Sequence, residues 1–109
     1  MQIPNCLNAV VATEKVLGYL PNLNHQEGKA KAVFFMRFGF TTDDYVALIN
    51  SLCSVACHEV ATIIENPFGT KYRIESAIPT PDNRNPLLVT VWFIATNTDI
   101  PKLVTAYPL

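Results

Sequence analysis

Residues 58–78, HEVATIIENPFGTKYRIESAI, decide the fold. Upstream of His58 the apolar residues recur every three or four positions, and from Val60 onward they recur every two. Val60–Glu65 reads as a strand. Asn66-Pro67-Phe68-Gly69 reads as the turn of a hairpin, with proline and glycine supplying the turn geometry. Lys71–Ile78 then alternates, with Tyr72, Ile74, Ser76 and Ile78 on one face and Lys71, Arg73 and Glu75 on the other. A strand patterned this way turns one face to a core and the other to water or a ligand.

Working outward, Pro79–Pro86 is too rich in proline to be strand. Leu87–Ala95 is the most apolar strand, with Val89, Val91 and Phe93 on one face and Thr90 and Trp92 on the other. Thr96–Asp99 turns the chain and Lys102–Tyr107 closes it as a fourth strand. On the N-terminal side, Thr13 caps a helix over Glu14–Leu20 that Pro21 ends. A second helix runs from Gln26 or Gly28 to Phe38, with Gly39 placed for a left-handed C-cap. A third, Thr42–Cys57, starts behind Thr41-Thr42-Asp43-Asp44 and carries Tyr45, Leu48, Ile49, Leu52 and Val55 as its apolar stripe. Helices first and hairpin-connected strands second predict an α+β fold: three N-terminal helices packed on one face of a four-stranded antiparallel sheet, with residues 1–109 as a single domain.

Composition narrows the function classes. Half of the 109 residues are hydrophobic and 16% are charged, which excludes an intrinsically disordered chain. Eight Lys+Arg against nine Asp+Glu exclude a globally basic protein that coats nucleic acid, though not a local basic patch. Apolar runs such as Ala32–Met36 fall far short of the ~20 residues of a membrane span. The opening MQIPN lacks the basic start and apolar run of a signal peptide, so a soluble cytoplasmic chain with no membrane partner is expected. Three cysteines, an odd number, argue against a disulfide framework. Cys53, Cys57 and His58 share a helix end, but nothing completes a tetrahedral ligand set. Buried thiols, no metal and no cofactor are expected.

Chemistry-bearing residues fall in two places. The sheet face away from the helices is expected to carry Arg73, Thr90 and Trp92. Thr105 and Tyr107 share one face of the last strand, and their direction depends on a register the sequence leaves open. A cation, hydroxyls, an indole and a phenol suit a phosphate and a stacked base. In the helical half, His25 precedes a helix start, where an imidazole can shuttle protons near neutral pH. Lys29 and Lys31 add positive charge beside N–H groups that favour an anion. The plain alternatives stay open: Thr, Tyr and Trp are ordinary strand residues, and a loop histidine followed by lysines is an ordinary solvated surface.

His25-x-x-Gly28-Lys29-x-Lys31-Ala32, Phe34-Phe35, Phe38-Gly39-Phe40-Thr41, Thr90-x-Trp92 and Pro101–Tyr107 together resemble a widespread small bacterial domain family of uncharacterised function. The opening Ile3-Pro4-Asn5-x-x-Asn8-Ala9-Val10-Val11 is similar too, while Gln26 stands where that family has proline. At a greater distance the layout resembles the barnase–EndoU–colicin–RelE group of ribonuclease toxins. That resemblance implies metal-independent RNA cleavage by the 2′-hydroxyl, with the active site on the sheet face. It implies His25, Lys29, Arg73, Thr105 and Tyr107 as catalytic residues and Lys31, Thr90 and Trp92 as substrate-binding ones. RNA and an antitoxin protein are the implied partners. The competing reading is a noncatalytic protein-interaction module, immunity- or toxin-associated, which the balanced charge also fits.

Overall fold

The helices stop where the hydrophobic period changes. The computed structural model describes residues 1–19 and 33–109. A 3-10 turn at Cys6–Asn8 precedes three helices: α1 (Thr13–Tyr19), α2 (of which residues 33–37 are described) and α3 (Tyr45–Ser54). Four strands follow, β1 (Val60–Asn66), β2 (Gly69–Ala77), β3 (Leu87–Ala95) and β4 (Lys102–Pro108), in one antiparallel sheet of order β1-β2-β3-β4. The architecture is α+β, as the sequence predicts.

Local chemistry explains the helix boundaries. The Asp44 carboxylate accepts the Ala47 N–H at 3.3 Å, so Asp44 is the N-cap of α3. The Thr41 hydroxyl accepts the Asp44 N–H at 3.2 Å. These side-chain bonds turn residues 41–44 and start the helix later than Thr42. Gly39 follows α2 at φ +101°, and a Cβ there would lie 3.0 Å from the Pro81 Cβ. Only glycine suits that backbone and that contact. The proline-rich loop docks at the same point: the Asp82 N–H donates to the Phe38 carbonyl at 3.3 Å. Arg84 has no partner legible in the sequence, yet it donates to the Arg37 carbonyl at 2.6 Å, pairs with Asp82 and lies 4.4 Å over the Phe38 ring. Desolvation alone would push the Asp82 carboxyl up. The Arg84 N–H, the Arg84 guanidinium and the Thr80 hydroxyl outweigh it and hold Asp82 below its usual range.

One buried cluster takes Val16, Phe35, Leu48 and Leu52 from the helices and Tyr72, Ile74, Leu88, Trp92, Leu103 and Ala106 from the strands. The pairs Tyr72↔Trp92, Ile74↔Thr90, Trp92↔Leu103 and Thr90↔Ala106 place these strand residues on one sheet face. Leu103 and Ala106 both reach that face because the register shifts between Val91 and Trp92, which makes Val104 the extra residue of a bulge.

The structure corrects the cysteine reading. Cys6 and Cys57, 51 residues apart, form a disulfide with Cα atoms 5.2 Å apart, and Cys53 is the free cysteine. An odd count says nothing about which two cysteines meet. Here Ile3 is buried in the core and holds the 3-10 turn in place, while Val55 and Ala56 are buried beside Cys57. With Cys57 bonded, the Cys53–Cys57–His58 set is no longer a set of free ligands. Among the described residues no group of three His, Cys, Asp or Glu side chains is placed to hold a metal ion. Burial pushes the Cys53 thiol up, against a smaller opposing effect of a hydrogen bond with the Val11 backbone. No described helix is long and apolar enough to cross a membrane.

The N-terminal segment also does more than the sequence suggested. The Met1 amino group pairs with Glu59, and the Met1 carbonyl accepts the Val60 N–H at 2.8 Å. Val10 forms an isolated parallel bridge with Lys102, donating to the Pro101 carbonyl at 2.9 Å and accepting from Leu103 at 3.0 Å.

Two stability measurements follow from this packing. Leu52 is fully buried, so Leu52→Ala should lower the unfolding free energy by roughly 2–5 kcal/mol in urea denaturation. Closing a loop of 51 residues predicts that a Cys6→Ser/Cys57→Ser variant loses about 4 kcal/mol. Thiol titration of the denatured, unreduced wild type should find Cys53 alone.

Candidate functional site

Pairing across the sheet sorts the face opposite the core into three rows. Thr62, Arg73, Val91 and Thr105 form the middle row, since Thr62↔Arg73, Arg73↔Val91 and Val91↔Thr105 are partners. Ile64, Lys71, Phe93 and Lys102 form the row on one side of it. Glu75, Val89 and Tyr107 form the row on the other, and Val89 in it is fully buried. The open register of the last strand is thereby resolved: Thr105 and Tyr107 lie on the same face as Arg73.

Arg73 is the electrostatic centre of this face. Its Nη2 donates to Glu75 Oε1 at 2.9 Å, a pair whose two side chains are each about 40% exposed. Such a pair contributes at most about 1 kcal/mol, so it yields readily to a stronger anion. Arg73 Nε is buried and meets no hydrogen-bond partner among the described residues. A donor left in that state favours any acceptor that reaches it. Thr62, Ile64, Lys71, Arg73 and Val91 line a shallow hollow of about 150 Å³. A second hollow of about 210 Å³ lies between Phe93, Ala95, Thr98, Ile100 and Lys102. Two cationic side chains, Arg73 and Lys71, open onto the first, and Lys102 lines the second.

Two of the residues expected here are elsewhere. Thr90 and Trp92 are 1% and 0% exposed and lie on the core face. The Trp92 Nε1–H donates to Thr90 Oγ1 at 2.9 Å, so each satisfies the other inside the core. They cannot stack a base or bind a phosphate without unfolding the sheet. The error is one of parity: Arg73 faces Val91, and its neighbours Thr90 and Trp92 therefore point the other way. Both faces of β3 are apolar enough to be the core face, and the larger side chain settles it. His25, Lys29 and Lys31 lie outside the described residues. Of the expected site residues, the structure thus brings together Arg73, Thr105 and Tyr107.

Sequence reasoning missed Thr62, Lys71, Phe93 and Lys102. The signal for Lys71 was present, because alternation already set it beside Arg73. Phe93 was legible only as a partner of Val91, and the pairing of that face with Arg73 required the register.

The whole chain can be compared with known proteins. The family described as "Domain of unknown function (DUF6883)" matches residues 2–109. No curated protein matches the chain. Among solved structures, a chain of a "Contact-dependent growth inhibition toxin - immunity protein complex from Klebsiella pneumoniae 342" is similar, with a TM-score of 0.73 over 94% of this chain and 95% of that one. The two are 15% identical in sequence, so the likeness is one of fold.

The assignment of Thr90 and Trp92 to the core is open to measurement. Thr90→Val keeps the shape but orphans the indole N–H, and should cost roughly 1–3 kcal/mol of stability. Chemical denaturation monitored by Trp92 fluorescence reads this directly, and an unchanged midpoint would return Trp92 to the solvent face.

Proposed function

This chain belongs to the DUF6883 family, and we propose that it is the endoribonuclease toxin of a toxin–immunity pair, cleaving RNA by attack of the 2′-hydroxyl. The observation that carries this reading is the open sheet face, where Arg73, Thr105 and Tyr107 share neighbouring rows with Lys71 and Lys102. The similarity of fold to a chain of a toxin–immunity complex supports it. In this reading the three helices all cover the core face of the sheet, residues 1–109 act as one domain, and the opposite face takes the substrate.

The chemistry needs a proton acceptor, a proton donor and positive charge on the phosphate. His25 removes the 2′-hydroxyl proton. The 2′-oxygen attacks phosphorus, the bond to the 5′-oxygen breaks, and the protonated His25 returns its proton to that leaving oxygen. The products are a 2′,3′-cyclic phosphate and a 5′-hydroxyl end. Arg73 holds the phosphorane through the exposed end of the guanidinium that otherwise pairs with Glu75, with Lys29 and Lys31 adding charge. Thr105 and Tyr107 contribute hydroxyls to the same oxygens. The Cys6–Cys57 bridge fits a chain that passes through an oxidising compartment before it meets cytoplasmic RNA. The antitoxin is an immunity protein that blocks the open face.

A second reading has its own observation. β1 is an edge strand that exposes Ile63 (43%) and Ile64 (56%), and Phe68 at the hairpin tip is 79% exposed. An edge with exposed apolar residues is a template for another chain, as a noncatalytic immunity- or toxin-associated module would present.

Expression and cleavage separate the two. The toxin reading expects growth arrest on expression and cyclic-phosphate ends in cellular RNA treated with purified protein. His25→Ala should slow cleavage by roughly 10²–10⁴-fold, and Tyr107→Phe by roughly 10²–10³-fold if its hydroxyl stabilises the transition state. Harmless expression with no cleavage of total RNA would establish the interaction module instead.

A further inference from the structure

We propose that the row Lys71–Phe93–Lys102 is a subsite for single-stranded nucleic acid, in which Phe93 stacks one base and the two lysines hold the flanking phosphates. The proposal rests on the reading of the chain as acting on RNA and supplies the base contact that Trp92, in the core, cannot make.

Register places the three residues in line: Lys71 is the partner of Phe93 on β2, and Lys102 is its partner on β4. The two lysines therefore leave the sheet from strands ~10 Å apart, with Phe93 on the strand between them and its ring leaning toward Gly69 in the next row. The ring is fixed in place by Gly69. A Cβ at Gly69 would meet Phe93 Cζ at 2.6 Å and Cε2 at 2.8 Å, so the ring lies directly against the glycine backbone. Phe93 is nevertheless part-exposed, as is required of a platform. A ring held before the ligand arrives loses little freedom on binding.

The surroundings favour a polyanion over a protein. Hollows of about 150 Å³ and 210 Å³ lie at the Lys71 and Lys102 ends of the row. The first also takes in Arg73, whose Nε is buried without a partner among the described residues. Glu75, the acid that shares the outward side of β2, lies two rows from Phe93, beyond Arg73. Lysines are depleted at the cores of protein–protein interfaces, whereas aromatic rings between basic side chains are the means by which single strands are bound without sequence readout. The chain's net charge of −1 makes this a local footprint rather than a general affinity.

The test uses a short fluorescein-labelled oligo-deoxyuridylate, which lacks the 2′-hydroxyl and so cannot be cleaved by the proposed chemistry. Anisotropy titrations over a range of salt should show Phe93→Leu binding on the order of ten-fold more weakly than wild type, and Phe93→Tyr binding normally. Lys71→Ala and Lys102→Ala should each reduce the slope of log K against log salt by about 0.7. Circular dichroism melting of each variant confirms that it is folded, and Phe93→Tyr keeps the test valid if leucine packs poorly on Gly69. Equal binding by Phe93→Leu, unchanged salt slopes, or no binding by the wild type would each overturn the proposal. RNA cleavage with Phe93-independent binding would sink this inference and leave the nuclease. Phe93-dependent binding without cleavage would do the reverse.

Discussion

The indole of Trp92 has no solvent-exposed surface, and its N–H would be stranded in the core without the Thr90 hydroxyl 2.9 Å away. A buried donor without a partner costs about as much as a large fraction of a small domain's stability. Because Trp92 and Thr90 sit two residues apart on one strand, they turn inward together and fix the parity of β3. Pairing carries that parity to β2 and β4, so Arg73, Lys71, Thr105 and Tyr107 are directed outward. A slip of one residue would put the indole in water and Val91 and Phe93 in the core. The open face exists as a set of residues only because of that choice.

The edges of the sheet are treated differently, and the difference bears on function. At the β4 side Val10 adds backbone hydrogen bonds to Pro101 and Leu103. At the β1 side the Met1 carbonyl bonds Val60 alone among the described residues, and the strand beyond it exposes its isoleucines. The first ten residues thus reach both margins of the sheet, with the Cys6–Cys57 bridge between these attachments. Among the described residues, the outer face and the β1 edge both present side chains to solvent. A substrate on the face and a partner at the edge would meet at Thr62 and Ile64, which line the hollow shared with Arg73 and Lys71.

The balance of charge limits where this chain can present positive potential. A chain with nearly equal acids and bases binds polyanions only where it concentrates cations. Arg73, Lys71 and Lys102 do so on neighbouring rows of one sheet face, while Arg84 is spent on the loop that closes α2 and Lys15 on the Val104 carbonyl. Arginine and lysine content alone would not distinguish these roles, because each depends on what the side chain meets.

By itself the sequence determined the order of the described elements and, for β3, both bounds. The change of period after His58 marked the passage from helices to strands, the Asn66–Gly69 turn closed the first hairpin, and Leu87–Ala95 appeared with the limits it has in the structure. These are local properties, written in periodicity and turn chemistry within a few residues. Only the tertiary structure decided which face of β3 lies inward, which two of three cysteines join, and what Arg84 holds. Each of those depends on contacts between residues far apart in the chain. A pattern that is apolar on both faces, as in Leu87–Ala95, is compatible with either parity until the largest side chain has to be buried and its N–H satisfied.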